Sequence, residues 1–199
     1  MSDVIKVLSR SKTQLMLHHP FFGSLAMSTP FIEDTGIDTM CTNGKWIKFN
    51  PDYVRSISGD ETTGVVAHEV MHITNKHPLR MGNRDHRLWN IATDYAINII
   101  IVDAGLQLPK GALVDEQCRG MSAEKIYNLM QSGELPIPMD DGWSFGEIEA
   151  PTNDDGSAMS DSEMDQLETE INVKVLSAHA NAKMRGKVPA GIEGLIEEM

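Results

Sequence analysis

Two histidines and a glutamate in one short stretch have the residue types and spacing of a metal-dependent hydrolytic site. The stretch reads His68-Glu69-Val70-Met71-His72, which is the pattern H-E-x-x-H. A helix advances about 100° per residue, so the side chains of residues i and i+4 lie on one face. His68 and His72 could therefore bind the same metal ion. Glu69 could hold and deprotonate a water molecule beside them.

The residues around this motif favour a buried helix over a surface helix with two solvated histidines. Residues 64–73 are apolar apart from the motif itself. Ser58 and Glu61 have the spacing of a capping box, which predicts that the helix starts just after Ser58. Pro78 predicts that the helix ends at about His77.

A catalytic zinc site needs three protein ligands and one open position, so a third ligand must lie elsewhere in the chain. Asp94 is the first candidate, because it follows His72 by 22 residues and lies on the next predicted helix, residues 88–102. Asn90, Asp94 and Asn98 are four residues apart and form one polar stripe on an otherwise apolar helix. The stripe has no Lys or Glu, which favours a polar site over solvent as its neighbour.

His77 is the alternative third ligand. It lies five residues after His72, roughly 140° around a continuing helix, so it could bind only if the helix breaks before Pro78. The metzincin pattern would need Gly at position 75 and His at position 78. Asn75 and Pro78 occupy those positions and exclude it. His86 is a weaker candidate, expected in a loop or beside the ligands.

These residues predict a zinc-dependent peptidase that holds one Zn²⁺ per chain. Zinc lowers the pKa of its water toward about 7 and polarises a substrate carbonyl. Glu69 would take the proton of the water and later deliver it to the leaving amine. The negative charge on the carbonyl oxygen needs a second stabiliser. The sequence does not choose among its candidates, which are Tyr95, His77, His86 and Arg84.

The elements that must position these residues predict an α+β fold. It is mainly helical, with a small β-sheet or hairpin before the H-E-x-x-H helix. Residues 38–49 predict the hairpin, since two β-prone segments flank the favoured turn Asn43-Gly44. That hairpin could hold an extended peptide by strand addition. Residues 25–32 are β-prone, and helices are predicted over 2–18, 51–56, 123–130 and 161–186, with one more from 188.

The net charge of −12 is concentrated in one part of the chain. Residues 133–170 contain twelve Asp or Glu and no Lys or Arg, so the rest holds 29 − 12 = 17 acids against 17 basic residues. No basic stripe stands out, which disfavours nucleic-acid binding. We divide the chain into a metallopeptidase domain (1–132), which the resemblance given below implies to be zincin-like, an acidic loop or disordered segment (133–160) and a C-terminal helical region (161–199). That last region stops inside an apolar pattern, which predicts truncation.

The acidic segment has three interpretations. A solvated linker is the commonest role of such charge runs. The alternatives are a docking site for a basic partner and a flap that blocks the cleft until it is removed. Trp143 and Phe145 within it could anchor the segment on the body of the protein.

The chain shows no membrane or secretion signal. No run approaches the roughly 20 apolar residues of a membrane span, and the first residues lack the apolar core of a signal peptide. We therefore expect a cytoplasmic protein. Cys41 and Cys118 do not form a C-x-x-C pair and are predicted to be buried thiols.

Many short segments match one known family in order and spacing, at residues 12–15, 19–23, 67–72, 77, 84–85, 89–98, 108–109, 111, 121–124, 126–127 and 186–191. These segments resemble a bacterial and phage metallopeptidase family whose full members carry a von Willebrand factor A-like domain at the C-terminus. The resemblance implies a zincin-like metallopeptidase domain and a missing C-terminal region. Members often sit beside MoxR-type ATPases, so such a partner is expected. No substrate is implied.

Two other functions compete with a peptidase acting on a protein or peptide substrate. One is a catalytically silent, metal-stabilised scaffold that recruits a partner through the acidic segment. The other is a metal hydrolase that acts on a non-peptide amide. Glu69 is present together with both histidines, which favours a catalytic function over a scaffold function.

Overall fold

The computed structural model describes residues 3–138, 146–153 and 155–197. These residues form a mainly helical α+β structure with a small mixed sheet, which confirms the predicted fold class. The strands are β1 (Phe31–Glu33), β2 (Met40–Thr42), β3 (Ile47–Phe49) and β4 (Gly146–Ile148). The helices are α1 (Asp3–His18), α2 (Pro20–Ser28), α3 (Pro51–Ser56), α4 (Gly59–Thr74), α5 (His77–Arg80), α6 (His86–Asp103), α7 (Ala123–Ser132), α8 (Asp161–Met184) and α9 (Ile192–Glu197), with a 3₁₀ turn at Glu116–Cys118.

The sheet has the strand order β1-β3-β2-β4. β2 and β3 pair antiparallel, with Met40 opposite Phe49, and this confirms the hairpin predicted over 38–49. Gly44 takes a φ of 93° in the turn, a conformation that glycine adopts without steric cost. β1 pairs parallel with β3, and β4 pairs parallel with β2.

α4 begins where the sequence predicts it to begin. The Ser58 hydroxyl accepts a hydrogen bond from the Glu61 amide at 3.1 Å. The Glu61 carboxylate in turn accepts one from the Ser58 amide at 2.8 Å. This reciprocal capping box satisfies two amides that the first turn of a helix leaves unpaired.

α4 ends earlier than predicted. Its last residue is Thr74 rather than a residue near His77. Lys76 has a φ of 54°, a left-handed conformation that stops a right-handed helix. The chain turns there, and α5 starts at His77 with Pro78 as its second residue. Proline suits the first turn of a helix, so Pro78 opens α5 instead of closing α4.

The prediction of β structure over 25–32 is wrong for its first half. α2 continues to Ser28, and only the last two residues of that range fall in β1. Pro20 is the first residue of α2 and its fixed φ suits that position. Phe21, Phe22 and Leu25 are buried on α2, so tertiary packing overrides the local β tendency.

α4 is the central helix of the fold, since every residue from 62 to 74 is buried. Val65, Val66 and Val70 belong to the larger hydrophobic cluster, which also contains residues of α1, α2, α6 and α8. Gly64 lies so close to the segment after α6 that a Cβ there would be 1.9 Å from the Gln107 carbonyl oxygen. The H-E-x-x-H motif is thus held inside the protein by packing on all sides.

The remaining sequence predictions have these outcomes. α8 and α9 lie in the predicted C-terminal helical region, and β4 lies within residues 133–160. Trp143 and Phe145 lie outside the described residues. Cys41 and Cys118 are buried free thiols, as predicted. In the described part of the chain, no helix combines the length and apolar character that crossing a membrane requires.

Candidate metal site

Three buried side chains from two helices converge on one point. His68 and His72 lie one turn apart on α4, and Asp94 lies on α6. The Nε2 atoms of the two histidines are 2.8 Å apart. Asp94 Oδ1 is 3.3 Å from His72 Nε2 and 3.5 Å from His68 Nε2. Asp94, the first candidate from the sequence, is therefore the residue that completes a group of three donor atoms.

This donor group fits a divalent metal ion such as zinc. Zinc–ligand bonds of about 2.0–2.1 Å in a tetrahedron place neighbouring ligand atoms about 3.3 Å apart. The two distances from Asp94 Oδ1 are close to this value, and the Nε2–Nε2 distance of 2.8 Å is shorter. Asp94 Oδ1 is buried and has no hydrogen-bond partner among the described residues. An unpaired buried carboxylate oxygen is costly, and a bound cation would remove that cost.

His68 is oriented by a hydrogen bond at its other ring nitrogen. Its Nδ1 lies 2.8 Å from Asn98 Oδ1. The Asn98 amide nitrogen donates to the Leu113 carbonyl at 3.0 Å, so the amide presents its oxygen to the histidine. His68 Nδ1 therefore carries the proton, and its Nε2 lone pair faces His72 and Asp94.

His72 is oriented in the same way by His77. The two Nδ1 atoms are 3.0 Å apart. If the His72 Nε2 lone pair faces the donor group, His72 Nδ1 donates this hydrogen bond and His77 Nδ1 accepts it. The structure thus does not bring His77, the alternative third ligand, into the donor group. It places His77 on the opposite side of the His72 ring, where Trp89 Nε1 also donates to the His77 carbonyl at 3.1 Å.

Burial keeps these imidazoles neutral, which is the form that binds metals. It lowers the pKa of His68 to about 4 and that of His72 to about 3. Burial lowers the pKa of His77 well below its usual value, and repulsion from the positive charges of His72 and Arg80 lowers it further. Burial also raises the pKa of the Asp94 carboxyl to about 6.

Glu69 lies beside the donor group with its carboxylate uncommitted. The residue is fully buried, and neither oxygen has a hydrogen-bond partner in the described ranges. Burial, and then the charge of Asp94, raises the pKa of Glu69 well above its usual value. A carboxylate in this state can accept a proton from a water molecule placed between it and the donor group.

Gly146, the first residue of β4, is the neighbour that sequence reasoning missed. A Cβ at this position would lie 2.4 Å from Glu69 Oε1 and 2.9 Å from His68 Nε2. The backbone of β4 therefore passes directly against both residues. No sequence pattern indicates this, because Gly146 lies within an acidic segment whose composition is typical of a loop.

Asn90 and His86, both on α6, contact β4 rather than the donor group. Asn90 Oδ1 accepts a hydrogen bond from the Ile148 amide at 3.2 Å. His86 Nε2 donates one to the Ile148 carbonyl at 2.6 Å. Asn90, Asp94 and Asn98, the polar stripe, thus contact β4, the two motif histidines and His68, respectively.

Arg84 and Tyr95 are engaged elsewhere. The Arg84 guanidinium lies 4.8 Å from the centre of the Trp89 ring and donates to the Arg80 carbonyl. Tyr95 packs against the smaller hydrophobic cluster, which contains Trp89 and Cys118. Among the described residues, neither side chain forms a hydrogen bond or an ion pair with the donor group or with Glu69.

Fold and site together define a mainly helical α+β protein with a buried group of two histidines and one aspartate that could hold a metal ion. The chain belongs to the family described as "Putative metallopeptidase domain", whose model matches residues 6–199. This match confirms the resemblance to a metallopeptidase family noted from the sequence. Neither the comparison with curated proteins nor the comparison with solved structures gives a match. The family and the site fit a metal-dependent peptidase.

Proposed function

We propose that the protein is a zinc-dependent peptidase in which His68, His72 and Asp94 hold the metal and Glu69 is the general base. The observation that carries this proposal is the pairing of two features in one buried place. Three donor atoms lie at ligand–ligand distances, and an uncommitted carboxylate lies next to them. A purely structural metal site would need the three donors but not Glu69.

Each residue of the site has its own role in the proposed reaction. A zinc ion bound to the donor group would supply Lewis acidity, which lowers the pKa of a water and polarises a carbonyl. Glu69 accepts the proton of the attacking water at its carboxylate and returns it to the leaving nitrogen. Asn98 and His77 hold the two imidazoles in the tautomer that leaves Nε2 free. The buried surroundings keep bulk water away from these steps.

The substitution Glu69→Gln tests the proposal, because glutamine keeps the shape of glutamate and cannot accept the proton. We expect zinc content by elemental analysis to stay at one ion per chain. We expect the hydrolysis rate of a quenched fluorescent peptide library to fall by about 10²- to 10⁴-fold. Glu168→Gln on α8, a half-exposed residue paired with Lys76, is the matched control and should change neither quantity.

A metal-stabilised scaffold is the second candidate, and the position of Gly146 against Glu69 favours it, since a covered base cannot meet a substrate. Zinc content and peptide hydrolysis together separate the two functions. Zinc binding without peptide hydrolysis, both in wild type and in Gly146→Val, where β4 no longer fits against Glu69, would support the scaffold. A wild-type protein that binds no zinc would exclude both.

The setting of the protein is also a proposal. We propose a cytoplasmic location, since no apolar run in the sequence approaches the length of a membrane span, and a MoxR-type ATPase as partner, from the family resemblance. We also propose the division of the chain at 132/133 and 160/161, because the acidic residues concentrate in the segment that begins at residue 133. Co-purification with a MoxR-type ATPase encoded next to the gene would support this partner. Absence of co-purification with both proteins at micromolar concentrations would contradict it.

A further inference from the structure

β4 is bound in the way that an extended peptide is bound at a sheet edge. It pairs with β2 in parallel, with Met40 opposite Gly146 and Thr42 opposite Ile148. Just beyond β4, the Glu149 amide donates to the Thr42 carbonyl at 2.9 Å. Such main-chain pairing gives affinity that does not depend on side chains.

The other side of β4 is bound by side chains of α6. The Ile148 amide donates to Asn90 Oδ1, and the Ile148 carbonyl accepts from His86 Nε2. Both contacts again go to the main chain of β4. A groove with β2 on one wall and these two side chains on the other therefore binds an extended chain through its main-chain groups.

The residues of β4 show which positions of the groove exclude a side chain and which accept one. Gly146 lies against Glu69 and His68, where even a Cβ would be too close. Two residues later, the side chain of Ile148 is completely buried in the smaller hydrophobic cluster beside Trp89. Glu147 between them points away and is exposed. This alternation is that of a strand that places every second side chain in a pocket.

We propose that the groove between β2 and α6 is the peptide-binding cleft of this protein, and that β4 is its intramolecular occupant, a pseudosubstrate strand. The proposal rests on the proposed peptidase function. A peptide that replaces β4 is extended, has glycine or another very small residue beside Glu69, and has a branched aliphatic residue two positions later. Because β4 is tethered, its effective concentration is about millimolar, so free peptides compete with it poorly.

The first experiment displaces β4 by substitution in the zinc-loaded 199-residue chain. Gly146→Val adds a side chain where Glu69 and His68 leave no room. Glu147→Val is the matched control, with the same new side chain on the exposed face of the same strand. The probe is a fluorescein-labelled synthetic peptide with the sequence of residues 146–152, and fluorescence polarisation measures its binding.

We expect Gly146→Val to bind the probe at least tenfold more tightly than wild type, and Glu147→Val to bind it like wild type. Equal or weaker binding by Gly146→Val would show that β4 is a permanent strand of the sheet and would overturn the proposal.

The second experiment fixes β4 in place and keeps the proposal testable if Gly146→Val fails to fold. Cys41 is the Cα partner of Glu147 on the adjacent strand, so Glu147→Cys permits a disulfide between β2 and β4. We expect the oxidised variant to lose all probe binding and reduction to restore it. Equal binding by the oxidised and reduced forms would overturn the proposal.

Binding and hydrolysis are read separately, so the two proposals can fail separately. Tighter probe binding by Gly146→Val without peptide hydrolysis would leave the cleft in place and remove the peptidase function. Hydrolysis by wild type that the oxidised Glu147→Cys variant retains would leave the peptidase function in place and remove the pseudosubstrate strand.

Discussion

His72 Nδ1 lies 3.0 Å from His77 Nδ1, on the opposite side of the His72 ring from the candidate metal-binding nitrogen. The residue that competes with Asp94 as third ligand in the sequence therefore supports the second ligand instead. His77 is buried, and its own backbone is held by the Trp89 indole. Such a partner fixes both the tautomer and the orientation of a metal-binding histidine.

Removing this support should weaken metal binding without abolishing it. We expect His77→Ala to lower zinc affinity by about 10- to 100-fold, because His72 loses the acceptor that fixes its tautomer. Competition with a chelator of known affinity measures the change. His18→Ala, at an exposed position on α1, is the control and should bind zinc like wild type. Unchanged affinity of His77→Ala would contradict the role of His77.

Asp94→Asn should change thermal stability differently in the absence and in the presence of zinc. Without metal, the variant should unfold at a temperature no lower than wild type, because a neutral amide replaces an unpaired buried carboxylate. Zinc at 1,000 times its dissociation constant should stabilise wild type by about 4 kcal/mol, or roughly 8–16 °C, and should stabilise the variant far less. Differential scanning calorimetry with and without zinc measures both effects.

The control for this comparison is Asp165→Asn, at an exposed position on α8, which should respond to zinc like wild type. If zinc raises the unfolding temperature of Asp94→Asn as much as that of wild type, Asp94 is not a ligand.

Gly64→Ala should destabilise the protein although alanine favours helices. The new Cβ would meet the Gln107 carbonyl oxygen, and a backbone atom cannot rotate away. We expect the free energy of unfolding to fall by about 1–3 kcal/mol, as in other overpacked sites. Urea denaturation measures it. Gly194→Ala in α9, where a Cβ meets nothing within 4 Å, should be neutral or up to about 1 kcal/mol more stable.

A stability of Gly64→Ala equal to that of wild type would mean that the segment after α6 can move away from α4. It would also indicate that the close packing of α4 is not required for folding.

Local regularities of the sequence determined much of the site. The spacing of His68 and His72 places them on one face of any helix, and the Ser58–Glu61 capping box fixes where that helix starts. The four-residue spacing of Asn90, Asp94 and Asn98 likewise predicts one polar stripe. These features depend only on helix geometry over a few residues, so they can be read without knowing the fold.

Only the tertiary structure decided which candidate completes the donor group. The left-handed turn at Lys76 ends α4 early and places His77 against His72 Nδ1, whereas the packing of α6 on α4 places Asp94 at the two Nε2 atoms. The position of Gly146 is likewise beyond local pattern, because β4 pairs with β2 across about a hundred residues of chain. Helical periodicity thus set which faces are polar, and long-range packing set what those faces meet.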